Sequence, residues 1–186
     1  PSFFVFASSA DLPAELVWQD GLEQPVFADA SAQKGGTYRD FIMDFPRTLR
    51  VVGPDANGSF RGIILDENAL SLLGQHPNTG EFYGVLAKSW AASPDKTTVY
   101  FRLDPDARFS DGEKITADNY LFAFYFFRSS HISDPWYNNF YATEYKQITR
   151  YDDYTIAITL PEAKANYLEK AGGLRPLPME FYKELG

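Results

Sequence analysis

The chain has 186 residues, 45% of them hydrophobic and 17% aromatic, enough to bury a core of one domain or slightly more. A formal net charge of −8 with no Lys/Arg cluster argues against nucleic acid as a partner, because a phosphate-binding surface needs grouped cations. The absence of Cys excludes disulfides, thiolate metal sites and Cys nucleophiles.

Residues 1–10, PSFFVFASSA, pair a short apolar run with small residues. They read either as the last part of a secretory signal peptide or as a buried strand. No stretch is long enough to span a membrane as a helix. From Asp11 to Lys34 the chain is Pro- and Ala-rich, an extended lead-in with Val17-Trp18 and Val26-Phe27 as its expected anchors. Gly35-Gly36 then opens a predicted strand over Thr37–Ile42. A second extended piece, Thr48 to Val52, runs into Gly53-Pro54-Asp55-Ala56-Asn57-Gly58, a loop dense in turn formers. Ser59 is the expected N-cap of a helix whose broken apolar face is Ile63, Ile64, Leu70 and Leu73, with Gly74 as its stop.

The spacing of Leu86, Ala87 and Trp90 predicts one or two helical turns over Tyr83 to Trp90. Beyond the turn at Ser93-Pro94-Asp95-Lys96, alternation over Thr98–Leu103 predicts a strand whose residues, with Trp90, belong to the core. Ser110-Asp111-Gly112 forms a second turn, and Thr116 caps a buried helix from Ala117 to about Ser130. Ile132 to Tyr141 reads as a loop rich in aromatics and amides, Tyr145 to Leu160 as strand, and Met179 to Leu185 as a short helix started by Pro178.

In this order and spacing, Leu86-Ala87-Lys88-Ser89-Trp90, Val99-Tyr100-Phe101-Arg102-Leu103, Phe109-Ser110-Asp111-Gly112 and Thr116-Ala117-Asp118 closely resemble the extracellular solute-binding proteins of peptide-type ABC importers. Lys34-Gly35-Gly36-Thr37-Tyr38 and Tyr151-Asp152-Asp153-Tyr154-Thr155-Ile156 extend the resemblance over most of the chain after about Val17. One departure is Asn119, where the family usually carries a second acidic residue; it weakens the charge at the helix start. The resemblance implies an α/β fold, a mixed sheet flanked by helices, as the N-terminal part of a two-lobed periplasmic-binding-protein fold. It divides the chain into a signal remnant (1–10), a lead-in (11–34) and part of the N-terminal lobe (35–186), with the second lobe outside this sequence. It further implies a periplasmic protein that delivers a peptide or peptide-like ligand to a permease of the inner membrane and does no chemistry. The oligopeptide and peptide-antibiotic branch is the nearest in likeness, on Val51-Val52-Gly53-Pro54, Leu70-Ser71-Leu72-Leu73 and Ser133 to Asn138.

No catalytic constellation stands out. His76 and His131 lie far apart without metal-ligand spacing, and each reads as structural or surface histidine. Asp104, Asp106 and Asp111 are not a calcium loop, because Phe109 stands where the required Gly would be. Neither a metal nor a cofactor is expected. The binding candidates are Asp55, Ala56 and Asn57, which otherwise form a plain turn, and Trp136 and Tyr137, which otherwise belong to a satellite of the core. The resemblance favours both loops as ligand walls. A secreted hydrolase acting on sugars through a carboxylate pair is the rival reading.

Overall fold

The computed structural model describes residues 2–183. Its strands are β1 (Phe4–Phe6), β2 (Leu73–Gln75), β3 (Phe82–Gly84), β4 (Ala87–Ala92), β5 (Thr98–Leu103), β6 (Gln147–Asp152) and β7 (Thr155–Thr159). Its helices are α1 (Phe60–Ile63), which runs on into a π-helical turn over Ile64–Asn68, then α2 (Ala117–Arg128), α3 (Pro135–Thr143), α4 (Tyr167–Gly172) and α5 (Met179–Tyr182). The five-stranded sheet has the order β1-β6-β7-β5-β4, and β2 and β3 form a separate two-stranded ribbon. All pairings in the larger sheet are antiparallel except β1 on β6, which is parallel, so the sheet is mixed as expected.

Alternating apolar residues make β5, β6 and β7 strands, and they close on the sheet's inner face as Val99, Phe101, Ile148, Ile156 and Ile158, all without exposure. Against that face lies α2, with Tyr120 and Phe124 among the same cluster. The opposite side of α2 is covered too. Ala123, Phe126 and Phe127 pack with Val51, Val52, Ile132, Leu177 and Tyr182 in a second cluster, which is why the helix is apolar almost all round. The start of α2 is closed by Asn119, whose Oδ1 accepts from the Thr116 amide at 2.8 Å while its Nδ2 donates to the Leu177 carbonyl at 3.2 Å.

The lead-in lies along the edge of β4, where Gln19 and Trp90 exchange both backbone hydrogen bonds at 2.8 Å. Its close approach depends on Gly21, which sits at φ +65°; a Cβ there would stand 2.4 Å from the Phe82 carbonyl oxygen. Of the expected anchors the two aromatics make contacts, Phe27 meeting the His76 ring edge-on at 5.6 Å, and the two valines do not. Val17 and Val26 are exposed, whereas Trp18 stacks under the Arg102 guanidinium (3.9 Å) and the Pro25 carbonyl accepts from His76 Nε2 at 2.8 Å.

Four elements correct the sequence reading. Tyr83 to Trp90 is not helical but two strands, because a bulge between Ala87 and Ser89 turns Ala87 and Trp90 inward together and mimics helix-face spacing. Residues 37–42 form no strand: Tyr38, Phe41 and Ile42 are exposed, and no partner strand reaches them among the described residues. The helix begun after Ser59 ends at Asn68, and Leu73 and Gly74 belong to β2 instead. Residues 135–143 are helix rather than loop, since the Asp134 carboxylate accepts from the Trp136 amide at 2.9 Å and Pro135 occupies the first turn. The predicted α5 is present over Met179–Tyr182, and the expected end at Leu185 lies outside the described residues.

Residues 1–10, assigned by resemblance to a signal remnant, carry β1. Phe3 packs on Phe124 at 5.5 Å, the Arg128 guanidinium lies 3.6 Å over the Phe3 ring, and Ser9 Oγ donates to Asp152 at 2.6 Å.

Candidate functional site

Loop 48–58 is held from behind. Val51 and Val52 are buried in the second cluster, and the Val51 amide donates to the Tyr182 hydroxyl at 3.1 Å. With its base fixed, the loop turns outward through Gly53 and Asp55, the latter at φ 60°, a left-handed conformation that Asp tolerates better than most residues. Asp55 and Asn57 are exposed, while Ala56 is buried with its amide on the Gly53 carbonyl. All three line one cleft of about 420 Å³, whose remaining wall is the segment 44–48 together with Gly58, Phe60 and Arg61.

The charges of this cleft are arranged in pairs. Arg47 meets Asp55 at 3.3 Å, and the Asp44 carboxylate accepts from the Ser59 hydroxyl. Arg61 reaches the other way, its Nη2 donating to the Tyr137 hydroxyl and its guanidinium lying 5.6 Å from the Tyr137 ring centroid. Tyr137 is itself stacked on Phe127 of α2 (4.9 Å, 13° between planes). Loop 48–58 and α3 are thus joined through Arg61 and Arg47, Arg61 holding Tyr137 and lining the same cleft as Asp55. Trp136 does not line the cleft; it meets Tyr137 edge-on at 5.0 Å, stacks on Phe140 at 4.9 Å and is 59% exposed.

Sequence reasoning missed Arg61, Arg47 and Asp44. The one available signal was Arg61 itself, a cation two residues before the apolar pair Ile63-Ile64 at a helix start. His76 is structural as expected: buried, with Nδ1 accepting from the Asn78 and Thr79 amides (3.2 and 3.1 Å), which places the proton on Nε2 toward Pro25. No group of three or more metal-ligating side chains converges among the described residues, and no described helix is long and apolar enough to cross a membrane.

Residues 81–184, more than half of the chain, match the family described as bacterial extracellular solute-binding proteins, family 5 Middle. The chain belongs to this family. A curated relative, the "Probable ABC transporter-binding protein" of Deinococcus radiodurans, is 26% identical over 146 residues, 76% of this family 5 chain and 24% of the relative. The chain therefore spans about a quarter of that relative's length. Among solved structures, the fold is similar to that of the ABC transporter-associated periplasmic binding protein DppA from Helicobacter pylori in complex with the peptide STSA. That likeness has 21% identity and a TM-score of 0.52, and covers 73% of this chain and 29% of that one. It is also similar to AgaA of A. tumefaciens R10 in complex with agropinic acid (19%, TM-score 0.52, covering 62% and 23%). A third likeness is AppA from Bacillus subtilis in complex with a nonapeptide (17%, TM-score 0.51, covering 63% and 23%). These likenesses show the fold, a mixed sheet flanked by helices. Nothing in the comparisons favours the carboxylate-pair hydrolase.

Proposed function

We propose that the chain is part of a periplasmic solute-binding protein that captures peptides or peptide-like solutes and delivers them to an ABC permease of the inner membrane, without chemistry on the ligand. The observation that carries this reading is the cleft at residues 44–61, in which Asp55, Ala56 and Asn57 share a wall with Arg61, and Arg61 is tied to Tyr137. Polar groups converging on a concavity next to aromatic rings suit a ligand with many amide groups. Two similar structures hold peptides and one holds agropinic acid, so both peptide and peptide-like solutes fall within the proposal.

Lobes that close around a hinge would place a second wall over this cleft. The 186-residue chain then offers half of the contact, and losing about 4 kcal/mol of it weakens binding roughly a thousandfold. Calorimetric titration of a pool of short peptides into the intact protein and into residues 1–186 tests both statements. Saturable heat from the intact protein, far weaker heat from the shorter chain and peptides recovered unchanged by mass spectrometry are expected. Absence of heat from the intact protein overturns the reading, and so does cleavage of the peptides.

A further inference from the structure

Seven asparagines stand in the sequence, and Asn57 alone is followed by glycine. The structure sets it apart as well. Asn68, Asn119, Asn138 and Asn166 are tied down through their side-chain amides, which donate to Ile63, Leu177, Phe127 and Glu169. Asn139 lies inside α3, and after Asn78 the next amide, that of Thr79, donates to His76 Nδ1. Asn57 is exposed on the wall of the cleft at residues 44–61, outside any helix or strand, and its side chain makes no hydrogen bond among the described residues. The peptide group joining it to Gly58 is equally unengaged at its carbonyl and its N–H, although the flanks are held by the Ala56 amide on Gly53 and the Arg61 amide on the Gly58 carbonyl.

We propose that Asn57 is a site of spontaneous deamidation, which turns an amide of the cleft wall into a carboxylate. The Gly58 nitrogen attacks Asn57 Cγ; the N–Cγ bond closes a cyclic imide as the Cγ–Nδ2 bond breaks, and the displaced nitrogen leaves as ammonia with the Gly58 amide proton. Water then opens the imide at either carbonyl, giving aspartate or isoaspartate, with no change of oxidation state. Asparagine is among the thermolabile residues, and a following glycine has no Cβ to obstruct the attack. The modification stands on the loop alone, whereas its effect on binding rests on the reading of this cleft as a ligand wall. There Arg47 and Arg61 are now balanced by Asp44 and Asp55. A third carboxylate tips the cleft to net negative and moves its preference toward cationic solutes.

The experiment incubates the intact protein in mildly alkaline and mildly acidic buffer and follows every asparagine-containing fragment by mass spectrometry. The Asn57 fragment is expected to gain the mass that exchange of an amide nitrogen for oxygen brings, well before any other asparagine. The gain should be faster in the alkaline buffer, because the attacking amide must lose its proton. Asp20-Gly21 and Asp111-Gly112 can close the same ring, but an aspartate that isomerises keeps its mass, so the gain reports asparagine alone. Gly58→Ala tests the route: Gly58 is not at positive φ, and a Cβ there meets nothing nearer than Asp44 Oδ2 at 3.8 Å, so the variant should fold and lose most of the gain. Asn57→Asp stands for the aspartate product in calorimetry with lysine-rich and glutamate-rich pools of short peptides. Relative to the unaltered protein, the ratio of the two affinities should move toward the lysine pool by about three- to tenfold, the worth of one nearby charge in water. An Asn57 fragment of unchanged mass overturns the site, and so does a Gly58→Ala protein that deamidates at residue 57 as fast as the parent. An unmoved ratio overturns the effect on selectivity. If neither pool binds, the solute-binding reading fails, while a mass gain at Asn57 still supports the modification.

Discussion

The side-chain amide of Asn119 donates to the backbone carbonyl of Leu177, joining the first turn of α2 to the segment that leads into α5. An acidic residue at this position could still accept from the Thr116 amide but would turn a second acceptor toward that carbonyl. With Asn119 only 6% exposed, Asn119→Asp should cost on the order of 1–3 kcal/mol at neutral pH, read as a lower urea midpoint with unchanged slope. An unchanged midpoint would show that the Leu177 contact contributes nothing.

Trp90 is 3% exposed and packs in the main cluster, while its Nε1 has no hydrogen-bond partner. Its contribution is therefore packing. Trp90→Ala should destabilise by about 3–5 kcal/mol, and a folded Trp90→Phe protein should bind ligand as the parent does. Equilibrium denaturation and calorimetry check the two halves separately; lost binding in a stable variant would move Trp90 from the core to the site.

The buried phenols predict an alkaline transition. Burial holds Tyr120 well above its ordinary value of 10.0 and pushes Tyr141 up to about 12, the nearby Arg175 charge opposing it. Both phenols stay neutral in the native state at pH values where an unfolded chain would ionise them. Their contribution is thus fully present below pH 10.0 and is lost as pH rises toward about 12. Phenolate absorbance and circular dichroism followed together should show part of the tyrosine ionisation rising cooperatively with loss of structure. Full ionisation of all tyrosines with the fold intact would contradict it.

Phe3 contributes a ring between Phe124 and the Arg128 guanidinium. Phe3→Ala should cost roughly 1.5–3 kcal/mol, the burial of one aromatic side chain. Processing is a separate measurement: the intact mass of the protein from its native host is expected to include Phe3 and Phe4, and a mature chain beginning after Ala10 would assign the segment to a signal peptide.

How legible each element was follows from how local its cause is. Thr116 and the apolar residues behind it fix α2 within one turn's reach, and β5 shows its alternation over Thr98–Leu103, so both were read correctly. Trp90 was rightly placed in the core, but Tyr83 to Trp90 was misread as helical because the bulge at Ala87–Ser89 arises from pairing with Leu103 and Arg102, residues well ahead in the chain. At 135–143 the helix signals were present in Asp134 and Pro135, but Asn138 and Asn139 are poor helix formers; Asn138 is accommodated because its amide donates to the Phe127 carbonyl at 2.6 Å. The cleft was half legible. Asp55, Ala56 and Asn57 could be picked out as a turn facing solvent, whereas Arg61 meeting Tyr137 is a contact across 76 residues that no spacing rule contains.

The parallel pairing of Phe4 with Ile148 sets an order of events during synthesis. At about 5–20 residues per second, β1 leaves the ribosome on the order of ten seconds before β6 exists to receive it. In that interval Phe3, Phe4 and Phe6 form an apolar nascent segment with no native strand to join, a natural grip for a holding chaperone. The β4–β5 edge of the sheet can pair before its central strand β7 exists, and β1 is seated at the opposite edge only once β6 has been made.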